Sequence, residues 1–135
     1  MALQLSTSVR NAQLDAIETA VGTSAVLKIR TGSAPANVGT ADSGTVLATL
    51  NLPSDWMAAA SSGSKAKSGT WEDTSADNAG TAAHFRIYAS DGTTAHIQGT
   101  VTATGGGGDM TLDNVVIAAA QAITITSFSL TAGNS

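Results

Sequence analysis

The dipeptide Asp91-Gly92 constrains this chain more than any other feature. It stands between two rows of alternating apolar residues, Phe85, Ile87 and Ala89 before it and Ala95, Ile97 and Val101 after it. Side chains alternate between faces along a strand, so the segment reads as a β-hairpin. A two-residue loop would pair Ile87 with His96 and send the two apolar rows to opposite faces. A three-residue loop, Ser90-Asp91-Gly92, pairs Phe85 with Ile97 and Ile87 with Ala95. Because a slip of one residue flips every side chain, the three-residue loop is expected. It fits a type I turn followed by a bulge, with Gly92 in the left-handed conformation. On the other face Arg86 would then oppose His96, and His84 would oppose Gln98.

The strand period of two recurs along the chain. Leu27 and Ile29 alternate with Lys28 and Arg30, and Val46, Ala48, Leu50 and Leu52 alternate with Leu47, Thr49 and Asn51. Between them the breakers Gly32, Pro35, Asn37 and Gly39 predict a loop over 31–44. Asp55-Trp56-Met57 and the alanines after it suggest a single helical turn. Lys65 to Trp71 reads as a polar strand whose two lysines suit a solvent-facing or edge position. Met110 and Leu112 open another strand, which Asp113-Asn114 turns or bulges before Val115 to Ile117. The last strand runs from Ala122 to Thr131, with a bulge expected near Ser127 to bring Ile123, Ile125, Phe128 and Leu130 to one core.

Ahead of the strands, Leu14, Ile17 and Val21 follow the helical spacing and Val9 extends it loosely. One of Ser6, Thr7 and Ser8 can cap the helix, and Gly22 sits at its stop. Asp15 and Glu18 lie beyond the first turn and add little. The expected organisation is a helix or arm over residues 1–22, followed by one β-sandwich domain over residues 23–135. The fold class is mainly β, a β-sandwich or jelly-roll-like barrel with one N-terminal α-helix.

Composition removes several functions. Six basic residues are too few for a nucleic-acid footprint. No apolar run approaches a membrane span, and the opening Met1 to Leu5 lacks the basic and apolar regions of a secretory leader. Cysteine is absent, which removes disulfides and thiolate metal sites. Only 12% of residues are charged while 42% are hydrophobic, so a folded domain is expected, with a surface that loses little charge hydration when a partner covers it.

The candidate chemistry is thin. His84 and His96 share a hairpin face without a third ligand, and read as solvent-facing or interface residues. No Gly-x-Ser-x-Gly elbow supports serine catalysis. The run Gly105 to Gly108 leads into Asp109-Met110 and a strand, not into a helix with Lys and Ser or Thr, so it reads as a flexible loop able to order against a partner. Glu72, Asp73 and Asp77 read as a solvated loop. Of the five aromatic residues, Phe85 and Phe128 belong to the expected core. Trp56, with its neighbour Met57, and Trp71 and Tyr88 are the candidate protein-interface residues, with a core place equally open to each tryptophan. No catalytic residue, cofactor or metal site is expected, and no enzyme activity.

Several segments carry a resemblance: Leu3 to Ser6, Arg10-Asn11, Asp15 to Glu18, Leu52-Pro53-Ser54-Asp55-Trp56-Met57, Gly69-Thr70-Trp71, Gly105 to Met110, Ile123-Thr124 and Leu130-Thr131. From end to end the chain resembles small structural proteins of tailed bacteriophages. The resemblance implies a virion structural protein, foremost a capsid decoration or cement protein bound to the major capsid protein lattice. A tail, collar or fibre-attachment component and a host glycan-binding module are the alternatives. It further implies a homo-oligomer made in the host bacterial cytoplasm and placed on the capsid surface, with no nucleic-acid or membrane partner.

Overall fold

A computed structural model of the chain describes residues 3–133; Met1 and Ala2, on which the expected absence of a secretory leader partly rests, lie outside the described residues. Among the described residues one helix, α1 (Thr7–Val21), precedes eleven short strands. Ser6 caps it, accepting a hydrogen bond from the Val9 amide at 3.2 Å, and the Gly22 amide closes its end on the Glu18 carbonyl at 2.9 Å.

The body is an antiparallel sheet of β1 (Val26–Arg30), β2 (Val46–Asn51), β6 (His84–Tyr88) and β7 (Ala95–Ala103), joined in parallel by β8 (Met110–Leu112), in the order β2-β1-β6-β7-β8. Three two-stranded ribbons complete the fold. They pair β3 (Ser64–Ala66) with β11 (Ser129–Thr131), β4 (Trp71–Asp73) with β10 (Ile123–Ile125), and β5 (Gly80–Thr81) with β9 (Val116–Ile117). The chain is therefore mainly β with one N-terminal helix, as its periodicities indicate.

Register assigns the two faces of the main sheet. Leu27, Leu50, Ile87 and Ile97 stand abreast, as do Ile29, Ala48, Phe85 and Gly99. This face packs against the ribbons through Trp56, Trp71 and Phe128. The opposite face carries Lys28, Thr49, Arg86 and Gln98 abreast, with Arg30 beside His84. The loop over residues 31–45 supplies side-chain and carbonyl partners to that face.

The central hairpin keeps the expected faces from Ile97 onward by another route, whereas Ala95 pairs with Tyr88 and lies on the other face. Ala89 donates to the Thr94 carbonyl and the register shifts at His96, so a four-residue connection and a bulge replace the three-residue loop. The paired residues become Ile87 with Ile97, Arg86 with Gln98, and His84 with Thr100. Gly92 does adopt the left-handed conformation, at φ +70°. The Asp91 carboxylate accepts from the Thr94 hydroxyl and from the Thr93 and Thr94 amides, which hold its carboxyl well below the usual range.

Three other expectations are corrected. Residues 57–60 form no helical turn, because Met57 bridges Lys67 in extended pairing. The last strand divides into β10 and β11. The glycine run is also packed in part: added Cβ atoms at Gly106 and Gly108 would stand 2.8 Å from Thr102 side-chain atoms, while Gly105 and Gly107 face open space with φ of +87° and +82°. Six residues thereby return the chain from β7 to a parallel neighbour, a connection that ordinarily takes a dozen or more. Only glycine supplies both the close approach and the left-handed turns.

Candidate functional site

The four residues expected at an interface lie inside the molecule. Trp56, Trp71 and Tyr88 have no exposed surface and Met57 has 1%. Trp56 and Trp71 face each other at 6.0 Å between ring centroids, Trp71 meets Phe128 at 5.6 Å, and Phe128 meets Phe85 edge-on at 5.6 Å. Each indole N–H finds a carbonyl, Trp56 that of Gly22 at 2.9 Å and Trp71 that of Ser68 at 3.1 Å. The residues beside a tryptophan fit core and interface alike, and here the main sheet and the ribbons enclose these rings. The interface reading of Trp56, Met57, Trp71 and Tyr88 is therefore withdrawn for the folded chain.

Tyr88 belongs to a polar cluster that alternation alone did not reveal. The carboxylate of Asp42, on the covering loop, accepts from Arg30 Nη2 at 2.9 Å, Arg86 Nη1 at 2.9 Å and the Tyr88 hydroxyl at 2.8 Å. Arg30 Nε donates to the Tyr88 oxygen at 3.2 Å. Arg86, 2% exposed, also donates to Gln98 Oε1 and the Asn37 carbonyl. Burial opposes the charge of Asp42, but the Tyr88 hydroxyl and the two guanidiniums outweigh it and hold the carboxyl below its ordinary range. Burial and the bond to Asp42 push the Tyr88 hydroxyl up. The sequence did carry a signal: Arg30, and Arg86 with Tyr88, fall at strand spacing on one face of neighbouring strands, opposite the apolar row.

A second cluster fastens the helix. Lys65, expected at the surface, is 2% exposed. Its ammonium lies 2.7 Å from Asp15 and 2.8 Å from Glu18 of α1, and donates to the Ala58 carbonyl at 2.9 Å. Burial works against its charge, yet the two carboxylates prevail and its pKa rises. Asp15 is held low, first by the Lys65 bond and then by the Ala60 amide. Glu18 accepts from the Met57 amide and Asn11 from the Gly63 amide. The helix is thus docked on the β body rather than held out as an arm.

His84 is also fully buried, against the expectation of a solvent-facing ring. Its Nδ1 lies 2.7 Å from the Gly32 carbonyl, which can only accept, so Nδ1 carries the proton. Its Nε2 has no partner among the described residues. His96 is exposed at the bulge. Asp73 and Asp77 bond the Thr49 amide and hydroxyl along the outer edge of β2 rather than forming a solvated cluster. Among the described residues no three His, Asp or Glu side chains are grouped to hold a metal ion.

The described surface carries several open clefts. One of about 480 Å³ lies among Lys67, Gly108, Asp109, Thr111, Ser127 and Phe128. Another of about 250 Å³ lies between Ile97 and Gln98 on one side and Ser129 and Thr131 on the other. Both touch Asp109, Phe128 and Ser129. No family model, curated protein or solved structure matches the chain.

Proposed function

We propose that this chain is a non-catalytic structural module that works by assembling with other proteins. The observation that carries the reading is the use made of its buried charges. Lys65 ties α1 to the β body, and Arg30 and Arg86 tie the covering loop to the sheet. Charged groups set into a fold in this way fix one arrangement of segments, which suits a part that must present a constant shape.

Within that class, the resemblance to tailed-phage structural proteins favours a virion component, foremost a decoration protein bound to the outer capsid lattice. In this reading the main sheet and the ribbons facing it are the two layers of a jelly-roll-like sandwich. Many identical copies make a modest affinity per site sufficient when neighbours also touch. The glycan-binding alternative loses its aromatic platforms, because Trp56, Trp71 and Tyr88 are enclosed. The test is cryo-electron microscopy of purified particles with a measured copy number. High copy on the outer shell is expected. A few copies in a ring would place it in a tail or collar, and absence from particles would overturn the virion assignment.

A further inference from the structure

The outer edge of β7 is only partly covered. β8 pairs with Val101–Ala103, whereas residues 95–100 have β6 on one side and, among the described residues, no strand on the other. Backbone groups along an antiparallel strand point alternately to its two sides. The Val101 amide donates to the Ala83 carbonyl, on the β6 side, at 3.0 Å. The Thr100 amide turns the other way and donates to the Asp109 carboxylate at 2.9 Å. Two residues from Thr100, Gln98 therefore presents its backbone N–H and C=O away from β6.

β11 has an open edge as well. The Lys67 amide donates to the Phe128 carbonyl at 2.9 Å and the Ala132 amide to the Gly63 carbonyl at 3.0 Å, so residues 128, 130 and 132 address β3. Ser129 and Thr131 address the opposite side. The 250 Å³ cleft lies between these two edges, with Phe85, Ile97 and Phe128 among its walls. It adjoins the 480 Å³ cleft at Asp109.

We propose that this cleft takes up an extended segment of a partner protein as an added strand, held by main-chain hydrogen bonds to Gln98 on one side and to Ser129 and Thr131 on the other. Two facing edges select the occupant. A folded sheet brings only one free edge, whereas an extended segment brings two. Side chains turned inward meet Phe85, Ile97 and Phe128 and are therefore apolar. Charge refines the match. Among the residues around the two clefts Asp109 alone is acidic. The single cation there, Lys67, already donates to the Gly69 carbonyl at 2.7 Å and lies over the Trp71 ring. A basic residue abreast of Asp109 is thus favoured over an acidic one.

The inference rests on the assembly reading only in taking a polypeptide as the ligand, and it does not need the virion assignment. The test titrates the ¹⁵N-labelled full chain with two blocked heptapeptides of alternating threonine and valine, one with a central lysine and one with a central glutamate. Millimolar lysine peptide should shift the amides of Gln98, Ser129 and Thr131 and bind roughly tenfold tighter than the glutamate peptide at low salt. Asp109→Asn should erase that preference. Ser129→Pro removes an outward N–H while leaving the bonds to β3, and should weaken binding by a similar factor. No shift at these amides, or shifts centred elsewhere, would overturn the proposal. Should Ser129→Pro fail to fold, the shift map on the unaltered chain still decides. A positive peptide result with a protein absent from phage particles would separate this inference from the virion reading.

Discussion

The Trp56 indole N–H donates to the Gly22 carbonyl at 2.9 Å, so the residue that ends the helix is bonded directly to the aromatic core. Trp56→Phe keeps a ring and removes the donor, leaving the carbonyl short of a partner. A loss of about 1–3 kcal/mol is expected in urea unfolding. Trp56→Ala, which also opens a cavity, should cost about 3–5 kcal/mol. A phenylalanine variant as stable as the parent would show that the bond does not hold the helix end.

The Lys65 cluster should respond asymmetrically. The lysine is enclosed, whereas Asp15 and Glu18 retain contact with solvent. Lys65→Met leaves two carboxylates that water can reach. Asp15→Asn with Glu18→Gln strands an enclosed ammonium, the costlier outcome. Thermal melts should show the double variant falling further than Lys65→Met, and the reverse order would contradict the placement of the charge.

The glycine run divides into two kinds of site. Gly106→Ala forces a Cβ to within 2.8 Å of Thr102 and should cost about 1–3 kcal/mol through overpacking. Gly107 has φ +82° and open space around it, so Gly107→Asn should cost less than about 1 kcal/mol. Chemical denaturation of the two variants distinguishes a packed return from a loose one.

At the hairpin, a Cβ on Gly92 would meet only the tip of Lys28, so any penalty comes from φ. Gly92→Val should lose about 1–2 kcal/mol and Gly92→Asn clearly less. Equal unfolding midpoints for parent and valine variant would rule out the left-handed turn.

Acid should loosen the covering loop. The folded-state pKa of Asp42 lies below its unfolded value, so its contribution is present above about pH 4 and lost as pH falls through the folded value. Asp15 and Asp91 shift the same way and steepen the fall. Asp42→Asn should be less stable than the parent at pH 7, with the gap narrowing toward pH 2 in a series of thermal melts. Lys65 and Tyr88 shift upward, so their contributions hold below about pH 10 and fade as pH rises beyond it.

Local rules do not reveal the short ribbon strand Gly80–Thr81, but they make the strands of the main sheet, the helix with its Gly22 stop and a cap among Ser6, Thr7 and Ser8, and the left-handed Gly92 legible in the sequence. Each depends on residues a few positions apart. The clusters depend on residues that only the fold brings together: Lys65 meets Asp15 across 50 positions, and Arg86 meets Asp42 across 44. Reading Lys65 as an edge lysine followed its polar neighbours and missed those partners. The places of Trp56, Trp71 and Tyr88 are illegible for the same reason, because an aromatic side chain is enclosed or exposed according to what distant segments pack against it. From Ile97 onward the hairpin faces are as expected although the loop is not, since a four-residue connection and the His96 bulge together conserve the side-chain parity, while Ala95, before the bulge, pairs with Tyr88 on the other face.

The main sheet is held by apolar packing on one face and by paired charges under a loop on the other. Both weaken on cooling. Apolar adhesion fades as temperature falls, and ions forfeit more favourable hydration on burial in the cold than in the heat, so pairing them costs more there. Cooling should therefore loosen the ribbon side and the loop side of the sheet together rather than one before the other.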